Sequence, residues 1–144
     1  MRQRRAAAVH RSAEQRPNLN HMSTPIGPYV PALRFGDMVV ISGQLGLKVQ
    51  ADGSSALVEG GTAEQLDQVL NNVADVLATK GARLDQVVKA TMFLADMDDF
   101  PIVNPVWAQH FGEHRPTRST IGVAALPLGG LVEVEVWAHA PLDS

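Results

Sequence analysis

A chain of 144 residues has the length of one domain, and folding at this length buries roughly 68–70% of the unfolded surface. Hydrophobic residues make up 45% and charged residues 19%, which excludes a wholly disordered or fibrous chain, and no apolar run approaches the roughly 18–20 residues of a membrane span. The absence of cysteine excludes disulfides, thiolate metal sites and a cysteine nucleophile.

The formal net charge of −3 is distributed unevenly along the chain. Residues 1–21 contain five arginines and one glutamate, a net charge of +4, whereas residues 22–144 contain seven basic and fourteen acidic residues, a net charge of −7. This asymmetry predicts a flexible basic N-terminal extension over residues 1–22, followed by a single domain over residues 23–144. An Arg-rich extension is also typical of transit peptides and of arms that bind anionic surfaces, although short terminal tails are usually untethered.

The first part of the domain has the features of short strands and turns. The prolines within residues 25–29 predict a turn that leads into an extended segment, because each proline biases its neighbour away from helix. The apolar run Met38–Ile41 predicts a short buried strand. Glycines and polar residues over 45–61 predict a hairpin-like connection or a long loop.

The first helix has the clearest periodicity in the sequence. Thr62 is predicted to cap it in a capping box with Gln65, and Gly81 is predicted to end it. Apolar residues recur at helical spacing between these limits: Leu66, Val69, Leu70, Val73, Val76 and Leu77.

A strand and a second helix are predicted next. Residues 87–94 alternate, so the even-numbered residues are expected to form one apolar face and the odd-numbered residues a mixed face. A helix is predicted from about Asp99 to Phe111, in which Pro105 removes one backbone donor. Its predicted apolar stripe consists of Phe100, Val103, Trp107 and Phe111.

Two final strands are predicted over residues 119–125 and 131–138, around a turn at residues 126–130. No strand and helix are joined by a glycine-rich phosphate-binding fingerprint, so a dinucleotide fold is not indicated. The order of strands, helix, strand, helix and two strands favours an α+β sandwich with both helices on one face of the sheet.

The second face of this sheet is predicted to be too apolar to remain exposed to solvent. In the last strand the even-numbered residues are expected beneath the helices, while Glu133, Glu135 and Trp137 lie on the other side. With Val87 and Phe93 of an earlier strand, this mixed face is too apolar to remain bare. We therefore expect it to contact another copy of the chain in a cyclic homo-oligomer, with clefts between the subunits.

Several patterns typical of enzyme sites are weak or missing. His110 and His114 have i, i+4 spacing, but they straddle the predicted end of the second helix without an HExxH motif, so no metal site is predicted. No GxSxG nucleophile elbow occurs. Glu133 and Glu135 share one face of a strand, and a solvated polar face is the simplest interpretation, above all for Glu135.

Arg118 is the most informative polar residue. It lies where a loop enters a strand of small residues, directly before Ser119 and Thr120. A planar guanidinium at this position could bind a carboxylate through two parallel hydrogen bonds, assisted by neighbouring hydroxyl groups. On spacing alone, a surface arginine at the end of a strand is the simpler alternative.

Several short motifs follow one another in an order that resembles the Rid family, also called the YjgF family, of reactive-intermediate imine deaminases. The resemblance covers about residues 24–140, and no single motif is specific. The motifs are Gly27-Pro28-Tyr29, Ser42-Gly43-Gln44, VNPVWAQHF with Asn104, Arg118-Ser119-Thr120, Leu126-Pro127 and Val132-Glu133-Val134-Glu135.

The resemblance implies a chorismate-mutase-like α+β fold, a mixed sheet with two helices on one face, and a homotrimer with active sites at the subunit interfaces. It implies hydrolysis of 2-imino and enamine acids, such as 2-aminoacrylate and 2-iminobutyrate, to 2-oxo acids and ammonia. Such intermediates are released by pyridoxal-phosphate enzymes, so a functional link to those enzymes and a cytoplasmic location are expected. No cofactor and no metal are implied.

The resemblance also implies roles for particular residues. Arg118 resembles the arginine that binds the substrate carboxylate, and Glu133 resembles the acid that activates water and transfers protons. A small anionic substrate would be selected between these two. Thr120 stands where many active members have cysteine, which alters the acidity of that group. The residues that resemble positions lining the substrate pocket are Tyr29, Ser42, Gly43, Asn104 and Thr120.

Three alternatives remain open at this point. The same site could hydrolyse a different small acid or a carbamate, or the trimer could bind small carboxylates without catalysis. Ribonuclease activity has also been attributed to this family, but a net charge of −7 over residues 22–144 argues against an intrinsic nucleic-acid groove.

Overall fold

The computed structural model describes residue 22 and residues 24–143. The predicted basic extension, apart from Met22, lies outside the described residues. Neither of the two α-helices in the described region has the length and apolar character needed to cross a membrane. The elements in chain order are β1 (Ala32–Phe35), β2 (Met38–Ile41), β3 (Leu47–Val49), β4 (Ser55–Leu57), α1 (Thr62–Ala78), β5 (Val87–Leu94), α2 (Phe100–Phe111), β6 (Thr117–Gly122) and β7 (Val132–His139).

Five of these strands form one mixed sheet in the order β1-β2-β7-β5-β6. The pairing of β5 with β6 is parallel, with α2 as the crossover between them, and the other three pairings are antiparallel. Strands β3 and β4 form a separate antiparallel hairpin, which confirms the hairpin expected within residues 45–61. The predicted α+β class with a mixed sheet is confirmed.

One apolar core lies between the sheet and the two helices. Both helices contribute buried side chains to the same cluster as one face of the sheet, so both cover that face. All six residues of the apolar stripe predicted for α1 are buried, as are the even-numbered residues of β7. Full burial of one such aliphatic side chain contributes about 1.5–3 kcal/mol.

The start of α1 differs from the prediction by one residue. Gly61 is the N-cap, and its backbone N–H donates to the Glu64 carboxylate over 2.8 Å. Thr62 and Gln65 are instead buried and used for tertiary contacts, because the Thr62 hydroxyl donates to Asp99 at 2.5 Å and Gln65 accepts from a backbone N–H just before β7. The predicted Thr62–Gln65 capping box is therefore wrong.

A β-bulge changes the predicted faces of β5. The register against β7 shifts between Val87 and Lys89, so that Val87 is fully buried while Val88 is 44% exposed. These two residues thus occupy the faces opposite to those predicted. At the bulge, side chains from outside β5 contact the carbonyl groups of both residues. A His114 ring nitrogen contacts the Val87 carbonyl at 2.6 Å, and the Thr117 hydroxyl donates to the Val88 carbonyl at 2.7 Å.

The second helix extends from Phe100 to Phe111, close to the predicted bounds. Val103, Trp107 and Phe111 are buried as predicted. The prediction was wrong for Phe100, which is 40% exposed at the first turn. Pro105 lies inside the helix, on its exposed side, without ending it.

The face of the sheet away from the helices is uncovered in the described chain and carries large apolar side chains. Strand β6 begins and ends earlier than predicted, because its ladder with β5 runs from Thr117, opposite Lys89, to Gly122, opposite Leu94. We call the uncovered surface the open face. It carries the exposed side chains of Leu33, Phe35, Val88, Ile121 and Trp137.

Candidate active site

Arg118 lies in β6 on the side of the sheet that faces the helices. Its pairing partner in β5 is Ala90, whose side chain is fully buried beneath α2 and α1. One guanidinium nitrogen, Nη2, donates to Oδ1 of Asn104 in α2 at 2.7 Å. Partial burial lowers the pKa of Arg118 from its ordinary value, but a guanidinium remains charged throughout the accessible pH range.

The Arg118 guanidinium also contacts two aromatic rings of α2. Its central carbon lies 5.0 Å from the ring centre of Trp107 and 5.9 Å from that of Phe100. Among the described residues, only Asn104 accepts a hydrogen bond from it, so a pair of parallel N–H donors remains available for a carboxylate. Thr120 lies two residues further along β6, on the same side of the strand. We call Arg118, Asn104 and Thr120 the arginine group.

Glu133 lies in β7 on the open face, in the row that contains Phe93 and Ile121. It packs directly against Gly43, because a methyl group added there would overlap the Glu133 carboxylate and lie 2.9 Å from its Cδ. Partial burial, and secondarily the negative charge of Glu135, raise the pKa of Glu133 above its ordinary value. A carboxyl group with a raised pKa can exchange protons closer to neutral pH.

Ser42 precedes Gly43 in the sequence, and Tyr29 lies close to Gly43 in the folded structure. The Ser42 hydroxyl donates to the Val30 carbonyl at 2.8 Å and its amide donates to the Pro31 carbonyl at 2.8 Å, which fastens the segment before β1 to the end of β2. Tyr29, which is 48% exposed, and Gly43 line one cleft, and neither Ser42 nor Glu133 borders that cleft. We call Tyr29, Ser42, Gly43 and Glu133 the glutamate group.

The Gly43 backbone amide is available for a ligand. It forms no hydrogen bond with any other described residue, whereas the neighbouring amides of Ser42 and Gln44 donate to the Pro31 and Val134 carbonyls. The glutamate group therefore combines a titratable carboxyl group with a free N–H donor. Such a pair can move a proton and bind an oxygen atom.

A single chain does not bring the arginine group and the glutamate group together. Strand β5 lies between β6 and β7, which separates their axes by about two interstrand spacings, roughly 10 Å. The side chains of Arg118 and Glu133 also point to opposite faces, since Arg118 pairs with buried Ala90 and Glu133 pairs with Phe93 on the open face. Within the protomer, Arg118 does not face Glu133.

The aromatic neighbours of Arg118 were not predicted from the sequence. Trp107 and Phe100 were assigned only to the apolar stripe of α2, yet both contact the guanidinium. Phe100, Asn104 and Trp107 have i, i+4, i+7 spacing and share one face of a helix. This spacing was a usable signal once Asn104 was considered a site residue.

The two histidines of α2 and the following loop point to different partners. His110 Nε2 lies 2.8 Å from Oδ1 of Asp67 in α1, and His114 contacts the bulge carbonyl of Val87. Among the residues that the structure describes, no three side chains are grouped as metal ligands.

Comparison with known proteins gives consistent matches over the domain. Residues 20–140 match the profile of the family described as Endoribonuclease L-PSP. The chain is 45% identical over 120 residues to the 2-iminobutanoate/2-iminopropanoate deaminase of Bos taurus, covering 83% of this chain and 85% of that protein.

Solved structures show the same fold. Yeast Mmf1 superposes with a TM-score of 0.76 at 37% identity, covering 84% of this chain and 94% of that chain. TdcF of E. coli, solved with bound serine, gives a TM-score of 0.75 at 33% identity, covering 83% of this chain and 94% of that chain.

Proposed function

The chain belongs to the Endoribonuclease L-PSP family, which is the Rid or YjgF family, and on this premise we propose that it hydrolyses small 2-imino and enamine acids to 2-oxo acids and ammonia. The observation that carries the proposal is the Arg118 guanidinium, which is oriented by Asn104 and keeps a pair of donors for a carboxylate. The deaminase of Bos taurus is named for two such substrates, 2-iminobutanoate and 2-iminopropanoate.

Substrate binding depends on the carboxylate that all these acids share. Two parallel N–H···O hydrogen bonds from Arg118 would bind it and leave the imine carbon at a defined distance from the guanidinium. The bound serine in TdcF is also a small molecule with a carboxylate, which supports this ligand class. The Gly43 amide and the Thr120 hydroxyl are the next polar groups of the proposed pocket.

The chemical step requires one water molecule and one proton carrier. Glu133 accepts a proton from water as the water oxygen attacks the imine carbon, and it then delivers that proton to nitrogen. The hydroxyl proton of the resulting carbinolamine is then transferred to the same nitrogen, again through Glu133. The C–N bond breaks, ammonia leaves, and the carbonyl of the 2-oxo acid forms, so the reaction consumes one water and needs no oxidant. An enamine first takes a proton on its β-carbon and enters the same route. The raised pKa of Glu133 suits this exchange.

A complete site requires two protomers. We propose a homotrimer in which the arginine group of one protomer meets the glutamate group of the next, with sites at the subunit interfaces. Two observations support this arrangement. First, the arginine group and the glutamate group are separated within one protomer. Second, the rings of Phe35 and Trp137 on the open face are in edge contact, with centres 6.1 Å apart, but each side chain remains about half exposed. Apolar surface of this kind favours association.

The remaining assignments follow from the same chemistry. The reaction is proposed to need no cofactor and no metal, because an imine is already electrophilic and only requires orientation and proton transfer. The enzyme is proposed to act beside pyridoxal-phosphate enzymes in the cytoplasm, since the imine and enamine products of those enzymes are short-lived and must be hydrolysed close to where they are released. Residues 23–144 are proposed to form a single Rid-like catalytic domain.

Nucleic acid is a less suitable substrate despite the family's name. A net charge of −7 over residues 22–144 opposes a phosphate backbone, which a nuclease groove must neutralise with basic side chains. Any RNA affinity would therefore have to come from the Arg-rich residues 1–21. RNA binding that persists after their deletion would contradict this assignment.

The test couples threonine dehydratase to the purified protein and follows the loss of 2-iminobutanoate. We expect acceleration by the unmodified protein, a loss of at least about 100-fold in kcat/KM for Arg118→Ala because the carboxylate loses its bidentate partner, and no change for Arg115→Ala. Arg115 is the matched control, since it is an exposed arginine in the loop before β6. No acceleration over buffer, or an Arg118→Ala variant as fast as the unmodified protein, would refute the proposal.

A further inference from the structure

The side chain of Trp107 lies between the apolar core and the charge of Arg118. It is only 5% exposed, and one side of its ring stacks on Phe111 with ring centres 4.5 Å apart. The Arg118 guanidinium carbon lies over the ring at 5.0 Å. An indole is the best aromatic partner for a cation, and exclusion of water strengthens the attraction.

Trp107 and Asn104 restrict different motions of the same guanidinium. The Asn104 carbonyl oxygen binds one nitrogen and limits rotation of the group within its plane. The Trp107 ring attracts the face of the guanidinium and limits tilting of the plane itself. Because both side chains come from α2, three residues apart, one helix face sets the orientation.

We propose that Trp107 is a positioning residue that holds the Arg118 guanidinium ready for the substrate carboxylate. This inference rests on the proposed function, in which Arg118 binds that carboxylate. A long arginine side chain that is already ordered loses less conformational freedom when the ligand binds. Removing the cation–π contact is therefore expected to weaken binding by disordering Arg118.

The contribution of Trp107 to the position of Arg118 can be separated from its contribution to core packing by changing only the electron density of the indole ring. Mono-, di- and trifluorinated tryptophan keep the shape of the indole while progressively weakening its attraction for a cation. The chain has two tryptophans, so the series is made in a Trp137→Phe background, where Trp107 is the only labelled ring. The measurement is the Kd of 2-oxobutanoate by titration calorimetry, compared with the same background without fluorine.

We expect the Kd to rise with each fluorine, by about 2- to 30-fold in all, which is the range of a cation–π contact between exposed and desolvated limits. Trp107→Leu should weaken binding to a similar extent. Phe111→Leu is the matched control, because it removes an aromatic ring from the same stack without contacting Arg118. It should bind 2-oxobutanoate as the unmodified protein does.

The outcomes distinguish this inference from the proposed function. If the unmodified protein binds 2-oxobutanoate and Arg118→Ala does not, while the fluorinated series leaves the Kd unchanged, the role of Trp107 is refuted and that of Arg118 stands. Equal losses in Phe111→Leu and Trp107→Leu would also refute it, because loosening of the core would then explain both. If the unmodified protein neither binds 2-oxobutanoate nor hydrolyses 2-iminobutanoate, both proposals are refuted.

Discussion

Substituting Gly43 by alanine tests the position of Glu133 without altering its carboxyl group. The added methyl group would overlap the carboxylate and lie 2.9 Å from Cδ and 3.1 Å from Cγ of Glu133. Gly43 has no positive φ, so the backbone itself accepts alanine without strain. The change therefore acts on the Glu133 side chain.

The expected cost to stability is small and the expected cost to activity is large. The overlapped atoms are the end of a flexible side chain, which can rotate aside for about 0.5–1.5 kcal/mol, the cost of leaving a preferred rotamer. A displacement of about 1 Å at a reacting group lowers the rate by about 100-fold. We thus expect Gly43→Ala to retain its fold and lose about two orders of magnitude in kcat/KM.

The pH profile provides a second measurement on the same variant. Burial raises the pKa of Glu133, so rotation of the carboxyl group toward solvent should return that pKa toward its ordinary value. The acidic limb of the profile of kcat/KM against pH should accordingly move to lower pH in Gly43→Ala. The assay is the coupled hydrolysis of 2-iminobutanoate, with thermal unfolding measured on the same samples.

Two comparisons make this reasoning refutable. Gly61→Ala is the matched control, because its methyl group meets only a Glu64 oxygen at 3.6 Å, and it should retain full activity. If Gly43 acts through Glu133, the double variant Gly43→Ala/Glu133→Gln should be no slower than Glu133→Gln alone. Unchanged kcat/KM in Gly43→Ala, or losses that multiply in the double variant, would refute the argument.

Three further predictions follow from the structure. Folding raises the pKa of Glu133, so the contribution of this group to stability is present below its unfolded pKa and is lost as the pH rises through its folded pKa. Glu133→Gln should therefore raise Tm at neutral pH and leave Tm unchanged in acid. Differential scanning calorimetry at both pH values measures this. Thr62→Val should lower the free energy of unfolding by about 1.5–3 kcal/mol, because the buried Thr62 hydroxyl donates to the Asp99 carboxylate. Denaturant unfolding measures this change, and a loss below about 0.5 kcal/mol would contradict the prediction. Trp137→Glu on the open face should yield inactive monomers in sedimentation. Leu142→Glu, at a more exposed apolar residue outside the open face, should retain the proposed trimer. An active, trimeric Trp137→Glu would exclude the proposed interface.

Much of the fold was predictable because it depends on local repetition. The stripe of α1 and the alternation of β7 each require only that apolar residues recur at the period of the element. The errors occurred where a tertiary contact outweighed a local rule. Thr62 satisfies a local capping pattern, but its hydroxyl binds Asp99 instead. At the bulge, His114 and Thr117 contact the Val87 and Val88 carbonyls, and neither contact is visible from the sequence of β5.

The chemistry of the candidate site was predictable from the resemblance of its motifs to a known family rather than from periodicity. The motifs around Tyr29, Ser42 and Asn104 resemble those of a family, so their chemistry could be proposed before any geometry was known. Trp107 could not be distinguished from an ordinary core residue, because its apolar spacing is the same in either role. Only the crossover from α2 to β6 brings Arg118 over its ring.

The sequence by itself determined which side chains alternate within each strand and which chemical groups are available. It could not determine how one strand's alternation relates to that of another, because that depends on the register between strands. The register pairs Arg118 with Ala90 on the helix side and Glu133 with Phe93 on the open face. Tertiary structure thus decided that the guanidinium and the carboxyl group lie on opposite sides of one sheet, which is the geometry that motivates the proposed site between two copies of the chain.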